Sequence, residues 1–469
     1  MTTLPDYSIT GKTVCINNTK ATLNKSVRVE LVETHSLHIN KLQIASTGSA
    51  RTEGLVQHCP KASDWFIERV SLSSGRLLGF LLLLGTMAFS AASYAHHDDA
   101  KAGTTDSKRR PQGGSLYVTA AFGPDNRLWR VVPDKWHVYV DYSTDLGKTF
   151  SAPVRINKES QRIKVSGENR TGIVVDRSGK ISVIYSAEGA QPVAVYFSTS
   201  TNNGRSFSTP KTLSNQASEA NSFQGRLVLN SSGQAYVFWL DERDRTDWRQ
   251  LGNAVYYTTI DGQNSQNYIN RKFSDTLCEC CRIATAFDND GQPVLFARFI
   301  YPGGIHDHGL SRTQTDGKEP LSWRVTFDDW KIKGCPEHGP AISISDDGRY
   351  HIAWFTQGSA RQGLFYAYSS DRGQNFSVPL SFGTPKKLPS HPDILAQGKH
   401  VILTWTEYDG TKTQLLVMQS TDGGQTWSPA KSIAESASGT DFPFLLSNAQ
   451  GVFVSWNSKH EGYRLIPLD

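Results

Sequence analysis

The chain has 469 residues, 49 Lys and Arg against 44 Asp and Glu, a net charge of +5 and a pI near 8.7. So slight a basic excess, with no Lys/Arg run, excludes a nucleic-acid platform. The length admits two or three average domains or one large all-β unit.

The first segment is polar, aperiodic and rich in Thr, Asn and Ser. Arg76 to Ala95, "RLLGFLLLLGTMAFSAASYA", then joins a positive flank, an apolar run of about a dozen residues, and Ser93 and Ala95 at signal-peptidase spacing. The run is shorter than the roughly 20 apolar residues of a membrane span, and polar "HHDDAK" follows at once. This pattern predicts a signal peptide over 70–95, export to the periplasm or medium, and no stable membrane insertion. A signal peptide opens a chain, and no methionine lies between Met1 and Met87. Residues 1–69 are therefore expected to be non-native upstream translation or disordered, with the true start at a non-ATG codon read here as Val70. Residues 96–114 read as a disordered linker.

From Ser115 the composition turns to β-branched and aromatic residues punctuated by Gly, Asn and Asp, without a helical period. Four octapeptides recur: "STDLGKTF" at Ser143, "STNNGRSF" at Ser200, "SSDRGQNF" at Ser369 and "STDGGQTW" at Ser420. In each, Asp or Asn bonds its own backbone and Gly supplies a positive φ. Degenerate copies surround Asp261 and Asp316. The acidic or amide positions 145, 202, 261, 316, 371 and 422 recur every 51 to 59 residues, the period of one four-stranded propeller blade. A second series of strand-turn-strand hairpins has its turns at Asn126, Gly179, Gly233, Gly291, Gly348, Gly398 and Gly451. The expected fold over 115–469 is an all-β propeller of four-stranded blades, seven by hairpin count or six as the alternative. The last unit, 441–469, shows three strands, to be closed by an N-terminal strand or merged with the first blade.

The octapeptide pattern resembles the Asp-box, or BNR, repeat of sialidase-like β-propellers. In that architecture the Asp-box turns and the hairpin 1-2 turns share one face. Loops 4-1 and 2-3 share the other, where ligands bind, so Asp145, Asp371 and Asp422 are scaffold.

On the ligand face the fold gathers sulfur and imidazole. "TLCECCRI" places Cys278, Cys280 and Cys281 in one 4-1 loop, and "GCPEHGP" places Cys335 and His338 in the next. The 2-3 loop "YPGGIHDHGL" adds His306, Asp307 and His308. Two readings stand: disulfides among the four cysteines, as suits an exported chain, or a copper or zinc site built from thiolate and imidazole. Adjacent Cys280 and Cys281 argue against a four-thiolate zinc centre.

The resemblance to sialidases implies glycoside hydrolysis or glycan binding, with three arginines on the substrate carboxylate, a Tyr paired with a Glu as nucleophile, and an Asp as acid/base. Here the R-I-P signature is replaced by "GPDNRLWRV", with Arg127 and Arg130, and the family's tyrosine position holds "TDFPFLL", with Phe442 and Phe444. Loop charges at the mouth are Asp241, Glu242 and Arg243 in "WLDERDR", Glu407, Tyr408 and Asp409 in "WTEYDG", and Arg282, Arg298 and Asp307. The candidate catalytic set is Glu407 and Tyr408 as base and nucleophile, with Asp307, Arg243 and Arg298. The expected partner is a glycan or small anionic ligand. The C-E-C-C and C-P-x-H-G-P stretches are similar to those of an exported subset of sialidase-like proteins.

Overall fold

The computed structural model describes residues 116–468 except 190–191, 215–219, 247–251, 261–267, 280, 315–317 and 335. Upstream it describes only short strands between Ser8 and Gly54, which belong to a separate unit, 1–102. The expected signal peptide, the linker, and Asp261 and Asp316 of the degenerate repeats lie outside the described residues.

Strand-forming sequence dominates because apolar and polar residues alternate between turn signals. The second strands of the fourth and sixth sheets, with "VLFA" and "VILTW", are largely apolar and are buried almost throughout. The chain folds into successive antiparallel sheets, each running inner strand to outer strand in sequence order. Their inner strands are Thr119–Phe122, Gly172–Val175, Ser222–Leu229, Ala284–Phe287, Ala341–Ile344, Ser390–Gln397 and Phe444–Asn448. Each inner strand lies beside the next, and Phe444–Asn448 returns to Thr119–Phe122, which closes a ring. This is a β-propeller. The third and fourth sheets share the single pair Leu277 and Phe299. The last sheet keeps three strands, Phe444–Asn448, Gly451–Ser458 and Gly462–Leu468. Among the described residues no fourth strand pairs with it.

The core lies between adjacent sheets. Trp129, Val140, Ile173 and Val183 fill the first gap, and Phe238, Phe273, Leu295 and Phe299 fill the third. At the closure Phe122 meets Phe453 at 5.4 Å and Phe150 meets Tyr463 at 5.8 Å between ring centroids. Burying such side chains contributes about 1.5–3 kcal/mol each.

The octapeptide turns are built alike. Ser143 Oγ accepts the Gly147 N–H at 2.8 Å and donates to Asp145 Oδ1 at 2.7 Å, while Asp145 accepts the Thr149 N–H at 2.8 Å. Ser369 and Asp371 repeat this on Gly373 and Asn375, as do Ser420 and Asp422 on Gly424 and Thr426. All seven hairpin-turn residues, from Asn126 to Gly451, have positive φ.

Candidate functional site

Two irregularities in the inner strands create the site. In Ser222–Leu229 the register slips between Phe223 and Arg226, with Gln224 at φ 52°. In Ser390–Gln397 it slips between Ser390 and Asp393, with His391 at φ 52°. Such bulges re-aim a side chain, and here they leave Arg226 and Asp393 lining the axial cavity. That cavity measures about 400 Å3 and is also lined by Glu168, Arg170, Arg282 and Phe444.

Glu168 reaches across the axis. Its Oε2 accepts the backbone N–H of Arg282 at 2.6 Å and of Gly339 at 3.1 Å, and its Oε1 takes the Arg282 guanidinium at 3.4 Å. The 4-1 loops carrying Cys278 and His338 therefore meet at one end of the ring. Arg282 also donates to Pro392 O at 2.8 Å, tying the fourth sheet to the sixth. Arg170 is held by Asp441 through two bonds of 2.5 Å and donates to Val118 O. His391 stacks on Phe442 with centroids 3.4 Å apart, and His338 lies 4.6 Å from His391.

Two of the three mouth arginines thus have carboxylate partners. The Arg226 backbone pairs with Phe238, but its guanidinium has neither a hydrogen bond nor an ion pair among the described residues. Its side chain is open to cavity water yet enclosed by the ring, and the enclosure governs its electrostatics. Burial lowers its proton affinity, Asp393 opposes that, and Arg282 and Arg170 add to it. Burial raises the Asp393 carboxyl against the N–H of Leu445 and the charges of Arg282 and Arg226. Burial likewise raises Glu168, opposed by Arg282, and lowers His338 to about 4, helped by Arg298.

The sequence-derived catalytic set is dispersed. Glu407 is buried within its sheet, where Oε1 accepts the Thr384 N–H at 2.7 Å and the Trp405 indole at 3.1 Å. Tyr408 points the opposite way, exposed, its hydroxyl donating to Gly410 O at 2.8 Å. Adjacent strand residues face opposite sides of a sheet, so the two do not form a base and nucleophile. Asp307 is buried and accepts from Arg324 and from the N–H groups of Asp328, Asp329 and Trp330, which holds the long loop before the fifth sheet. Arg243 is clamped by Asp241 at 2.6 and 2.8 Å and lies over Tyr256. Arg298 is buried beneath the mouth, donating to the carbonyls of His306, His338 and Phe355 over the Trp330 ring.

Of the candidate metal ligands, Cys278 and Cys281 are buried with sulfurs 3.9 Å apart. His308 is fully buried, and His306 and His338 each leave Nδ1 without a partner. Among the described residues no group of three His, Cys, Asp or Glu side chains is placed to hold a metal ion. Cys280 and Cys335 lie outside the described residues.

Sequence reading missed Glu168, Arg170, Arg226, Asp393 and Asp441. A signal existed: "GENRTGIVV", "FQGRLVL", "CCRIATA", "HPDILA" and "TDFPFLL" each put a charged residue at or just before the first strand of a hairpin. Superposing the repeats on that strand, rather than on the turns, would have gathered them.

No protein-family model matches the chain, and no curated protein is similar to it. Among solved structures the chain is similar to a polysaccharide lyase described as an ulvan lyase, at 12% identity and a TM-score of 0.47, covering 76% of this chain and 96% of that one. It is similar to a Hadza microbial sialidase at 12% identity and 0.43, covering 74% and 75%. It is also similar to a Penicillium chrysogenum alpha-L-arabinanase complexed with arabinobiose, at 12% identity and 0.41, covering 67% and 95%.

Proposed function

We propose that this protein is an exported β-propeller that recognises an acidic glycan at its axial mouth. The observation that carries the reading is Arg226, a guanidinium without an anionic partner among the described residues, in a cavity flanked by two more arginines. A planar, always-charged guanidinium matches a carboxylate bidentately. Arg170 and Arg282, fixed by Asp441 and Glu168, preorganise the field around it. Phe444 brings apolar ring surface to the cavity, packed under the Arg170 guanidinium, whereas the Phe442 ring is covered by His391.

The test is titration of the purified protein with a sialyl oligosaccharide and a glucuronyl oligosaccharide. A charge-assisted contact is worth roughly 1.5–3 kcal/mol, so Arg226→Ala is expected to weaken binding by about 10- to 100-fold. Equal affinity in the wild type and in Arg226→Ala, or no binding of either probe, refutes the reading.

Asp393 favours a second reading, hydrolysis of the bound glycan. A carboxyl raised by burial and placed beside the anion site suits a general acid. Release of fluorophore from an aryl sialoside or aryl glucuronide, lowered in kcat about 100-fold or more by Asp393→Asn, is the expected result. Absence of turnover leaves recognition alone.

A further inference from the structure

In the third inner strand the ladder steps from Phe223 with Leu240 directly to Arg226 with Phe238, so Gln224 and Gly225 stand opposite Trp239 alone. Gln224 has φ 52°, a left-handed conformation that a residue with a Cβ keeps only where its surroundings impose it. Asn169 imposes it from the second sheet. Its Oδ1 accepts the Gln224 N–H at 3.0 Å and the Ser186 hydroxyl at 3.2 Å, and its Nδ2 donates to Lys164 O at 2.9 Å. Gly225 backs onto the same sheet, where a Cβ would meet Ile184 at 2.9 Å and Val195 at 3.2 Å. The residue before Arg170 thus holds the residue two before Arg226, and Gln224 joins both arginines in the lining of the axial cavity. The Gln224 side chain is only 6% exposed, yet its amide meets no hydrogen-bond partner among the described residues. An enclosed amide left unpaired is costly, and here a strained backbone keeps it in place.

We propose that Gln224 is a specificity-determining residue of the axial site, its amide hydrogen-bonding a hydroxyl of the same sugar ring whose carboxylate Arg226 holds. The ligand class is then a hydroxylated pyranose acid rather than any carboxylate. This inference rests on the acidic-glycan reading. A guanidinium only donates, so Arg226 by itself cannot tell a sugar acid from another carboxylate of similar size. A primary amide donates and accepts at once, as a hydroxyl does. A site whose polar group stays unpaired beside a ligand lacking the matching hydroxyl discriminates against that ligand. The bulge therefore gives one strand two functions: Arg226 supplies charge, and Gln224 reads the neutral groups next to it.

The test is titration of the full chain with methyl glucuronide and with cyclohexanecarboxylate, which carries a carboxylate on a ring of the same size and no hydroxyls. Wild type is expected to bind the glucuronide more tightly. Gln224→Met keeps the length of the side chain without its hydrogen bonds. It is expected to weaken glucuronide binding roughly 3- to 10-fold and to leave cyclohexanecarboxylate binding within about twofold. Arg226→Ala is expected to weaken both by about tenfold or more. Because the Gln224 amide satisfies nothing in the fold, Gln224→Met is also expected to melt within about 2 °C of wild type or above it. A larger drop would reveal a structural duty and overturn the assignment. Equal effects of Gln224→Met on the two acids, or a wild type that favours cyclohexanecarboxylate, overturn it while the carboxylate site at Arg226 stands. If wild type binds neither acid, the acidic-glycan reading fails and takes this inference with it.

Discussion

Glu407 and Tyr408 are neighbours in sequence with unrelated duties. The Glu407 carboxylate sits inside the sixth sheet to satisfy Trp405 Nε1 and the Thr384 N–H. The same device recurs where Asp241 accepts the Trp239 indole at 2.7 Å and Asp328 that of Trp354 at 2.9 Å. Buried indole and amide donors left without an acceptor cost about 1–3 kcal/mol each. Glu407→Ala is therefore expected to lower unfolding free energy by about 2–4 kcal/mol in urea titration. Tyr408→Phe removes one exposed hydroxyl and is expected to stay within about 0.5 kcal/mol of wild type, with probe affinity unchanged in both variants. A lost glycan affinity in well-folded Tyr408→Phe would return that phenol to the site.

At the scale of the element, the octapeptide turns wedge one sheet under its neighbour. Gly424 has φ +85°, and a Cβ there would meet the Tyr366 hydroxyl at 1.7 Å. Gly291 has φ +76° with open space around it. Backbone strain at a positive φ costs on the order of 1–3 kcal/mol, and overpacking adds about 1–3 more. Gly424→Ala is thus expected to be clearly worse than Gly291→Ala, by about 1–3 kcal/mol in a denaturant midpoint comparison. Similar losses for the two would mean that the turn conformation alone, and not its insertion beside Tyr366, requires glycine. These turns were legible from spacing because Ser, Asp and Gly each have a local reason to be there. The bulges at Gln224 and His391 were less so: Gly225 in "SFQGRLVL" and Pro392 in "SHPDILAQ" mark an irregular strand, not which side chain it re-aims. A slipped register is a property of the pairing with the next strand.

For the molecule as a whole, burial of neutral imidazoles ties stability to pH. His351 is fully buried, faces the Tyr366 hydroxyl at 2.8 Å and Ser345 Oγ at 3.4 Å, and is lowered to about 4 by burial and by Arg349. A base whose folded pKa lies below its unfolded value of about 6.5 binds fewer protons when folded. Its contribution is present above pH 6.5 and is lost as pH falls toward 4. The loss approaches about 1.4 kcal/mol per pH unit in that window. Glu168 and Asp393, raised by burial, act in the opposite sense. The informative quantity is therefore the difference between wild type and His351→Gln. That stability gap is expected to narrow steadily between pH 6.5 and 4.5 in thermal melts, and a constant gap would show that His351 titrates normally.

Local chemistry settled what each repeat is. Alternating strands, Ser-x-Asp-x-Gly turns and positive-φ hairpin tips are short-range consequences of side chains bonding their own backbone, so the all-β propeller was readable before any coordinates. The membership of the mouth was not, since it depends on which residues the closing of the ring brings to the axis. Glu168 touches residues 114 and 171 positions away, and Arg170 pairs with Asp441 across 271. No periodicity encodes those distances. They exist because a circle of sheets puts the first residues of every inner strand at one end, and two register slips turn Arg226 and Asp393 into the space between them.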